Sequence, residues 1–172
     1  MARILIVYST TDGHTIEICR RLKAVIESQT HREAHQVNLI DFRACSAADI
    51  TACDKIVIGA SIRYGRHNPR LVWFIRRHQN LLDARPNAFF SVNAVARKPE
   101  KSRPETNPYL KKLLRRILWK PSQLTVFAGK IDYKKYGWLD RAVIRFIMLL
   151  THGPNDPSGC FEFTDWQQVD AF

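Results

Sequence analysis

Four short apolar runs, each continuous rather than alternating, constrain the fold of this chain more than any other feature. They occupy residues 3–8, 55–59, 88–92 and 124–128 and consist largely of β-branched and aromatic residues. An unbroken apolar run is typical of a strand buried on both faces, as in a parallel sheet covered by helices. Residues 35–40 form a weaker run, which predicts a further strand nearer an edge of the sheet.

Helical patterns separate these runs. Residues 15–28 place apolar side chains on one stripe and charged side chains off it. Two further helices are predicted to begin at Pro69 and Pro108, because proline is favoured in the first turn and the preceding Asn68 and Asn107 are good N-caps. This alternation predicts an α/β domain with a five-stranded parallel sheet and helices on both faces.

The length of 172 residues fits a single domain, which we expect to span residues 1–172. The longest apolar run, residues 146–150, is far shorter than the about 20 residues of a membrane-spanning helix. The apolar run at residues 4–8 is too short for a secretory signal, so the sequence predicts a cytoplasmic protein. The four cysteines, at positions 19, 45, 53 and 160, have no partner at metal-ligand spacing, and no metal site is predicted.

Positive charge is concentrated in one stretch of the chain. The formal net charge is +11, and residues 97–145 hold 14 Lys and Arg against four acidic residues. A concentrated positive field attracts an anionic partner, which leaves nucleic acid, an anionic membrane surface or a small poly-acid open. A solvated basic face is the alternative. No aromatic platform accompanies the charges, so we predict no nucleic-acid partner.

The loop after the first predicted strand is rich in hydroxyl groups and leads directly into a helix. Ligands of parallel sheets bind beyond the carboxyl ends of the strands, where this loop lies. Hydroxyls around one glycine at a helix N-terminus suit a phosphate monoester held without metal, although an ordinary capping turn has the same composition. The candidate phosphate-binding residues are Ser9, Thr10, Thr11, Asp12, Gly13, His14 and Thr15.

Two further loops follow the third and fourth apolar runs along the chain. With the first loop, they are predicted to hold a flat ring between a tyrosine-bearing loop and an exposed backbone. The residues of the first of these loops are Ala60, Ser61, Ile62, Arg63, Tyr64 and Gly65. Those of the second are Asn93, Ala94, Val95, Ala96 and Arg97.

Three strings carry a family resemblance: residues 58–65 (IGASIRYG), 91–101 (SVNAVARKPEK) and 164–166 (TDW). With the hydroxyl-rich first loop, they resemble flavodoxin-like FMN-binding proteins, and most closely the quinone-dependent protoporphyrinogen IX dehydrogenases of bacterial haem synthesis. The resemblance implies a flavodoxin-like fold and noncovalent FMN with its phosphate in the first loop. It also implies oxidation of protoporphyrinogen IX to protoporphyrin IX, with menaquinone or ubiquinone as the electron acceptor.

No general base stands out within this framework. Tyr64, Asn93 and Arg97 are the catalytic candidates, and His67, Tyr133 and Tyr136 are further candidates only because of where their loops should lie. Since the substrate carries two propionates, we expect it to be bound by the basic residues of the loop over the flavin, namely Arg97, Lys98 and Lys101. The basic helix also offers Lys111, Lys112, Arg115 and Arg116, for which propionate binding and a solvated surface both stay open.

Alternative functions remain open from the sequence. An NAD(P)H-dependent quinone reductase of the same fold would carry the same loops. An electron-carrier flavodoxin would also bind FMN, but such carriers are usually acidic, whereas this chain is basic. A basic nucleic-acid-binding module is the alternative that is not an enzyme.

Residues 130–159 are predicted to form a long basic insertion in the last strand region, with the strand resuming at residues 160–163. Within it, residues 138–150 are strongly apolar and contain Arg141 and Arg145. This pattern predicts peripheral attachment of residues 130–150 to an anionic membrane, at the cytoplasmic face of the inner membrane. A core helix or a contact within a homo-oligomer is the alternative. Residues 164–167 read as a capping-box start of a closing helix.

Overall fold

The computed structural model describes residues 1–28, 35–150 and 152–172. Its strands are β1 (Arg3–Ser9), β2 (Gln36–Asp41), β3 (Lys55–Arg63), β4 (Arg66–His67), β5 (Asn87–Asn93), β6 (Gln123–Ala128), β7 (Lys130–Asp132) and β8 (Cys160–Glu162). Its α-helices are α1 (His14–Ser28), α2 (Ala47–Ala52), α3 (Pro69–Arg77), α4 (Gln79–Asp83), α5 (Pro108–Leu114), α6 (Trp138–Leu150) and α7 (Trp166–Ala171). Short 3₁₀ turns lie at Ala94–Arg97, Pro99–Lys101 and Tyr133–Lys135.

The central sheet has the predicted parallel arrangement. Its five parallel strands lie in the order β2-β1-β3-β5-β6, and β4 adds a short antiparallel pairing to β3. β2 is an edge strand, as its weaker apolar run predicted. The chain moves outward in one direction from β1 to β2 and in the other from β3 to β6. The order therefore reverses between β1 and β3, where ligands of such sheets bind.

Continuous apolar strands supply a hydrophobic core on each face of the sheet. Leu5 of β1 and Phe89 of β5 belong to the cluster that packs beneath α3 and α5. Their chain neighbours, Ile6 and Phe90, belong to the opposite cluster with residues of α1 and α7. Successive strand residues point to opposite faces, so each run must be apolar throughout to bury both sides. The prediction of helices on both faces is confirmed.

Side-chain caps define the starts of four of the described α-helices, α2, α3, α5 and α7. Asn68 and Asn107 each accept hydrogen bonds from backbone N–H groups in the first turn of α3 and α5, as predicted. The predicted cap of the closing helix was wrong by one residue. Asp165, not Thr164, caps α7, because its carboxylate accepts from the N–H groups of Gln167 and Gln168. The Thr164 hydroxyl donates to the Ala128 carbonyl at 2.8 Å.

The insertion differs from its predicted form. Residues 160–162 are a strand, but β8 pairs antiparallel with β7 in a separate two-stranded sheet and does not rejoin the central sheet. The separation occurs at Gly129, whose N–H donates to the Asn93 carbonyl and whose carbonyl accepts from the Phe163 N–H. β6 is therefore complete at Ala128. The insertion has a small core of its own, formed by Ile131, Tyr133, Tyr136 and Met148.

Candidate functional site

A cleft opens at the carboxyl ends of β1, β3 and β5, where the sequence placed the site. Its volume is about 160 Å³, and the insertion closes one side of it. Twelve predicted residues line it: Thr10, Asp12, His14, Thr15, Ser61, Ile62, Arg63, Tyr64, Gly65, Asn93, Ala94 and Val95. The three predicted loops therefore meet at one place.

The other predicted site residues lie elsewhere. Ala60 and Ala96 are buried in the core, whereas Ser9 and Thr11 line a neighbouring hollow beside β4. Gly13 contributes its backbone conformation, with φ of +88°, which turns the first loop into α1. Arg97, Lys98 and Lys101 are not among the residues that line the cleft.

The first loop has the geometry of an oxyanion site. The Gly13 N–H donates to the Thr10 hydroxyl at 3.1 Å, which closes the loop. Thr15 is 1% exposed, and its Oγ1 has no hydrogen-bond partner among the described residues. The first backbone N–H groups of α1 also lack intrahelical acceptors, and the helix dipole places partial positive charge beside them. A buried hydroxyl without a partner beside these donors fits a phosphate monoester.

His14 connects this loop to the end of the chain. Its Nε2 lies 2.6 Å from the Thr164 hydroxyl, and its Nδ1 lies 3.0 Å from a carboxylate oxygen of Glu17. The ring also meets Trp166 edge-on, with the ring centroids 6.0 Å apart. Residues 164–166, which formed part of the family resemblance, therefore pack directly behind the first loop. His14 is a positioning residue of the loop.

Arg63 joins the first loop to the insertion. Its guanidinium lies 2.9 Å from the Asp12 carboxylate and also pairs with Asp140, in the first turn of α6. The Tyr64 hydroxyl donates to Asp140 as well. The hydrogen bonds from Tyr64 and Arg63 lower the pKa of Asp140, and the bond to Asp140 raises the pKa of Tyr64. Tyr64 therefore retains its proton. The contacts of Asp140 with Arg63 and Tyr64 hold the start of α6 over the cleft.

The side chain of Asn93 makes hydrogen bonds within the protein. Its amide oxygen accepts from the Ala96 N–H at 3.0 Å and from the Asn107 side chain at 3.2 Å. Its amide nitrogen lies 3.4 Å from the Ser91 hydroxyl, and the residue is buried. Asn93 therefore shapes the turn at residues 94–97, whose backbone lines the cleft.

Arg97 is turned toward the insertion. Its guanidinium donates to the Ala94 carbonyl at 2.9 Å and lies over the Phe163 ring, 5.8 Å from the ring centroid. It also lies close to Gly153, because a Cβ added there would be 2.8 Å from Nη2. These contacts hold the far end of the insertion against the domain. They give Arg97 a structural role that its loop position did not predict.

Three further candidates have distinct environments. His67 is buried beside Ser91, at 3.0 Å, and burial lowers the pKa of His67 to about 4. Tyr133 is buried in the insertion and donates to the Pro154 carbonyl. Of the three, only Tyr136 lines the cleft, and burial raises the pKa of Tyr136 to about 12. The Tyr136 hydroxyl therefore stays protonated at neutral pH.

The insertion supplies much of the cleft wall, although none of its residues except Tyr133 and Tyr136 was a predicted site residue. Ile144, Ile147 and Met148 of α6 line the cleft, together with Lys130 and Ile131. Tyr109 of α5 lines it from the other side. The apolar spacing of residues 138–150 was the available signal, because a helix with apolar residues nearly all round can cover a site with one face.

Comparison with known proteins assigns the family. Residues 5–158 match the protein family described as Flavodoxin domain. The chain belongs to the flavodoxin family. Protoporphyrinogen IX dehydrogenase (quinone) of Escherichia coli (strain K12) is 38% identical over 170 residues, which cover 99% of this chain and 92% of that protein. The protein of the same name from Leishmania major is also 38% identical, over 99% of this chain and 72% of its own length. The chain is thus a member of this dehydrogenase family as well.

Solved flavodoxins share the fold. A cysteine-to-serine mutant of a flavodoxin from Pseudomonas aeruginosa aligns over 87% of this chain and 97% of its own, with a TM-score of 0.52 and 8% identity. The two-electron-reduced flavodoxin of Megasphaera elsdenii aligns over 72% of this chain and 84% of its own, with a TM-score of 0.51 and 12% identity. The predicted flavodoxin-like fold class is confirmed.

Proposed function

We propose that this chain is an FMN-dependent oxidoreductase that oxidises protoporphyrinogen IX to protoporphyrin IX and passes the electrons to a membrane quinone. The dehydrogenase relatives bear this activity in their name at 38% identity over nearly the whole chain, which supports the choice of substrate and acceptor. The observation that carries the proposal is the cleft itself. It lies at the switch point of the sheet, with an oxyanion site at one end and apolar side chains along its wall.

The described residues fit FMN. The hydroxyls of Thr10 and Thr15 and the first N–H groups of α1 would hold the phosphate, and residues 61–65 and 93–95 would line the ring. Bound flavin supplies electron-pair transfer, repeated in successive two-electron steps until the macrocycle is aromatic. The chain holds the ring and keeps the Tyr64 and Tyr136 hydroxyls protonated, while Asp12 is neutralised by Arg63.

The wall formed by α6 suits an apolar substrate. Ile144, Ile147 and Met148 exclude water from the side of the cleft that faces the insertion. A tetrapyrrole ring and a quinone head group are both flat and largely apolar, so this surface can contact either one. The insertion therefore completes the site that the three loops begin.

Anaerobic turnover tests the proposed reaction. Purified protein loaded with FMN is mixed with protoporphyrinogen IX and a soluble quinone, and the fluorescence of the protoporphyrin product is followed. We expect product formation that requires both FMN and quinone. Rapid bleaching of the flavin by NADH or NADPH would favour the quinone reductase instead. Binding of FMN without oxidation of the porphyrinogen would favour an electron carrier.

We further propose that the outer face of α6 lies in the interface of an anionic membrane, at the cytoplasmic face of the inner membrane. No helix in the described ranges is long and apolar enough to cross a bilayer. The outer face is nevertheless apolar and exposed, and its residues are Trp138, Leu139, Val143, Phe146, Leu149 and Leu150. Lys134 and Arg145 of the insertion are exposed as well, and each engaged cation contributes about 1 kcal/mol at an anionic surface.

Vesicle flotation tests the membrane proposal. The wild type is expected to float with anionic vesicles and much less with neutral ones. Phe146→Ser combined with Leu149→Ser should abolish flotation, whereas Trp73→Ser on α3, which removes an equally exposed aromatic residue, should not. Equal flotation of all three proteins would refute the proposal. A concentration-dependent dimer that the double substitution dissociates would assign this face to a homo-oligomer instead.

A further inference from the structure

A second, smaller groove lies beside the cleft. It runs between β4 and α5, and its walls include Arg66, His67, Tyr109, Lys112 and Arg116. Tyr109 lines both the groove and the cleft, and a Cβ added at Gly65 would lie 3.5 Å from its ring. The groove and the cleft therefore have the Tyr109 side chain as a common wall.

Three cations surround this groove without counter-ions. Arg66, Lys112 and Arg116 are all exposed, and none makes an ion pair or a side-chain hydrogen bond within residues 1–28, 35–150 and 152–172. Arg63, by contrast, holds two carboxylates at the cleft. Like charges around one depression repel one another, and an anion placed between them relieves that repulsion.

The residues expected to bind the substrate propionates do not line the cleft. The sequence predicted that Arg97, Lys98 and Lys101 bind the propionates, but Arg97 is turned toward Phe163 and the insertion. Lys98 and Lys101 lie outside the residues that line the cleft and the groove. Arg66, Lys112 and Arg116 instead line the groove that shares Tyr109 with the cleft.

We propose that Arg66, Lys112 and Arg116 form a carboxylate subsite that binds the two propionates of the substrate while its macrocycle lies in the cleft. This inference rests on the proposed function. Protoporphyrinogen IX is amphipathic, with both propionates on one edge of an apolar ring system. An apolar cleft with an unpaired basic groove beside it matches that division, and charge-assisted hydrogen bonds from arginine and lysine are the strong kind for carboxylates.

A matched pair of variants tests the subsite. Lys112→Glu with Arg116→Glu reverses two groove cations, whereas Lys111→Glu with Arg115→Glu makes the same change of net charge one residue earlier, outside the groove. Binding of protoporphyrin IX is measured by fluorescence, with its dimethyl ester as the uncharged counterpart. We expect the groove variant to weaken binding of the acid at least 10-fold and the control less than 2-fold, with binding of the ester and of FMN unchanged in both.

Turnover and lipid binding separate the remaining outcomes. With protoporphyrinogen IX, the groove variant should raise KM at nearly unchanged kcat. If both double variants weakened binding of protoporphyrin IX equally, the loss would come from the reduced positive charge of the whole protein, and the subsite would be overturned. Loss of flotation with anionic vesicles at unchanged porphyrin binding would overturn it in favour of a lipid headgroup. A wild type that binds the acid through the groove, yet oxidises no porphyrinogen, would refute the proposed function while the subsite stands.

Discussion

Replacement of Thr15 by valine should shift the stability of the free protein and its affinity for FMN in opposite directions. Valine has nearly the same shape as threonine but lacks the hydroxyl. The Thr15 Oγ1 is buried at the start of α1 and has no partner among the described residues. It therefore costs free energy in the protein without FMN, and we propose that it gains a phosphate oxygen when FMN binds.

The magnitudes follow from the two environments. A buried polar group without a hydrogen bond costs about 1–3 kcal/mol, so Thr15→Val should make the free protein about 1–3 kcal/mol more stable. A hydrogen bond to a charged group contributes about 1.5–3 kcal/mol, so the dissociation constant for FMN should rise roughly 10- to 150-fold. Intrinsic helix propensity does not separate threonine from valine enough to alter either sign.

Two measurements check this prediction. Urea unfolding without flavin gives the stability of the free protein, and calorimetric titration gives the affinity. Riboflavin, which lacks the phosphate, is the matched ligand, and its affinity should be the same for the wild type and Thr15→Val. A loss of affinity that is equal for FMN and riboflavin would refute the assignment of Thr15 to the phosphate, as would unchanged binding of FMN.

Two further predictions concern the scaffold of the site. Because burial lowers the pKa of His67 to about 4, the unfolded chain takes up this proton first as the pH falls below 6.5, and the free energy of unfolding should drop by about 3 kcal/mol by pH 4. If urea unfolding of His67→Phe depended on pH in the same way as that of the wild type, this prediction would be contradicted. A methyl group at Gly59 would overlap the Phe90 ring, so Gly59→Ala should cost about 1–3 kcal/mol. Gly137→Ala, with nothing within 4 Å of the added carbon, is the control, and equal melting temperatures of the two variants would refute the reasoning.

The central sheet could be predicted because its signals are local. A run such as residues 88–92 packs into the hydrophobic cores on both faces of the sheet, so its continuous apolar sequence predicts that it is buried. Asn68 and Asn107 cap their helices through groups two or three residues away. The pairing of β7 with β8 joins Lys130 to Glu162, and no local pattern specifies which strand a three-residue segment will join.

The site likewise has a part that the sequence predicts and a part that it does not. Residues 9–15 follow a buried strand and open a helix, so their position at the cleft follows from topology. The direction of an individual side chain depends instead on what packs against it. Arg97 was expected over the ring, but Phe163 and Gly153 at the end of the insertion receive its guanidinium. Arg66, Lys112 and Arg116 come from two distant segments, and only the packing of α5 against β4 brings them together.

The insertion belongs to the site because its helix α6 lines the cleft with one face and is exposed on the other. Ile144, Ile147 and Met148 of α6 line the cleft, while Phe146 and Leu149 are exposed on the outer face. An α-helix with its side chains is about 10–12 Å across, so an apolar molecule in the membrane interface and one in the cleft would be separated by the thickness of this helix. The start of α6 is held by Arg63, through Asp140, and Arg63 also holds Asp12 in the first loop. The position of α6 is therefore linked to the loop that would bind the cofactor.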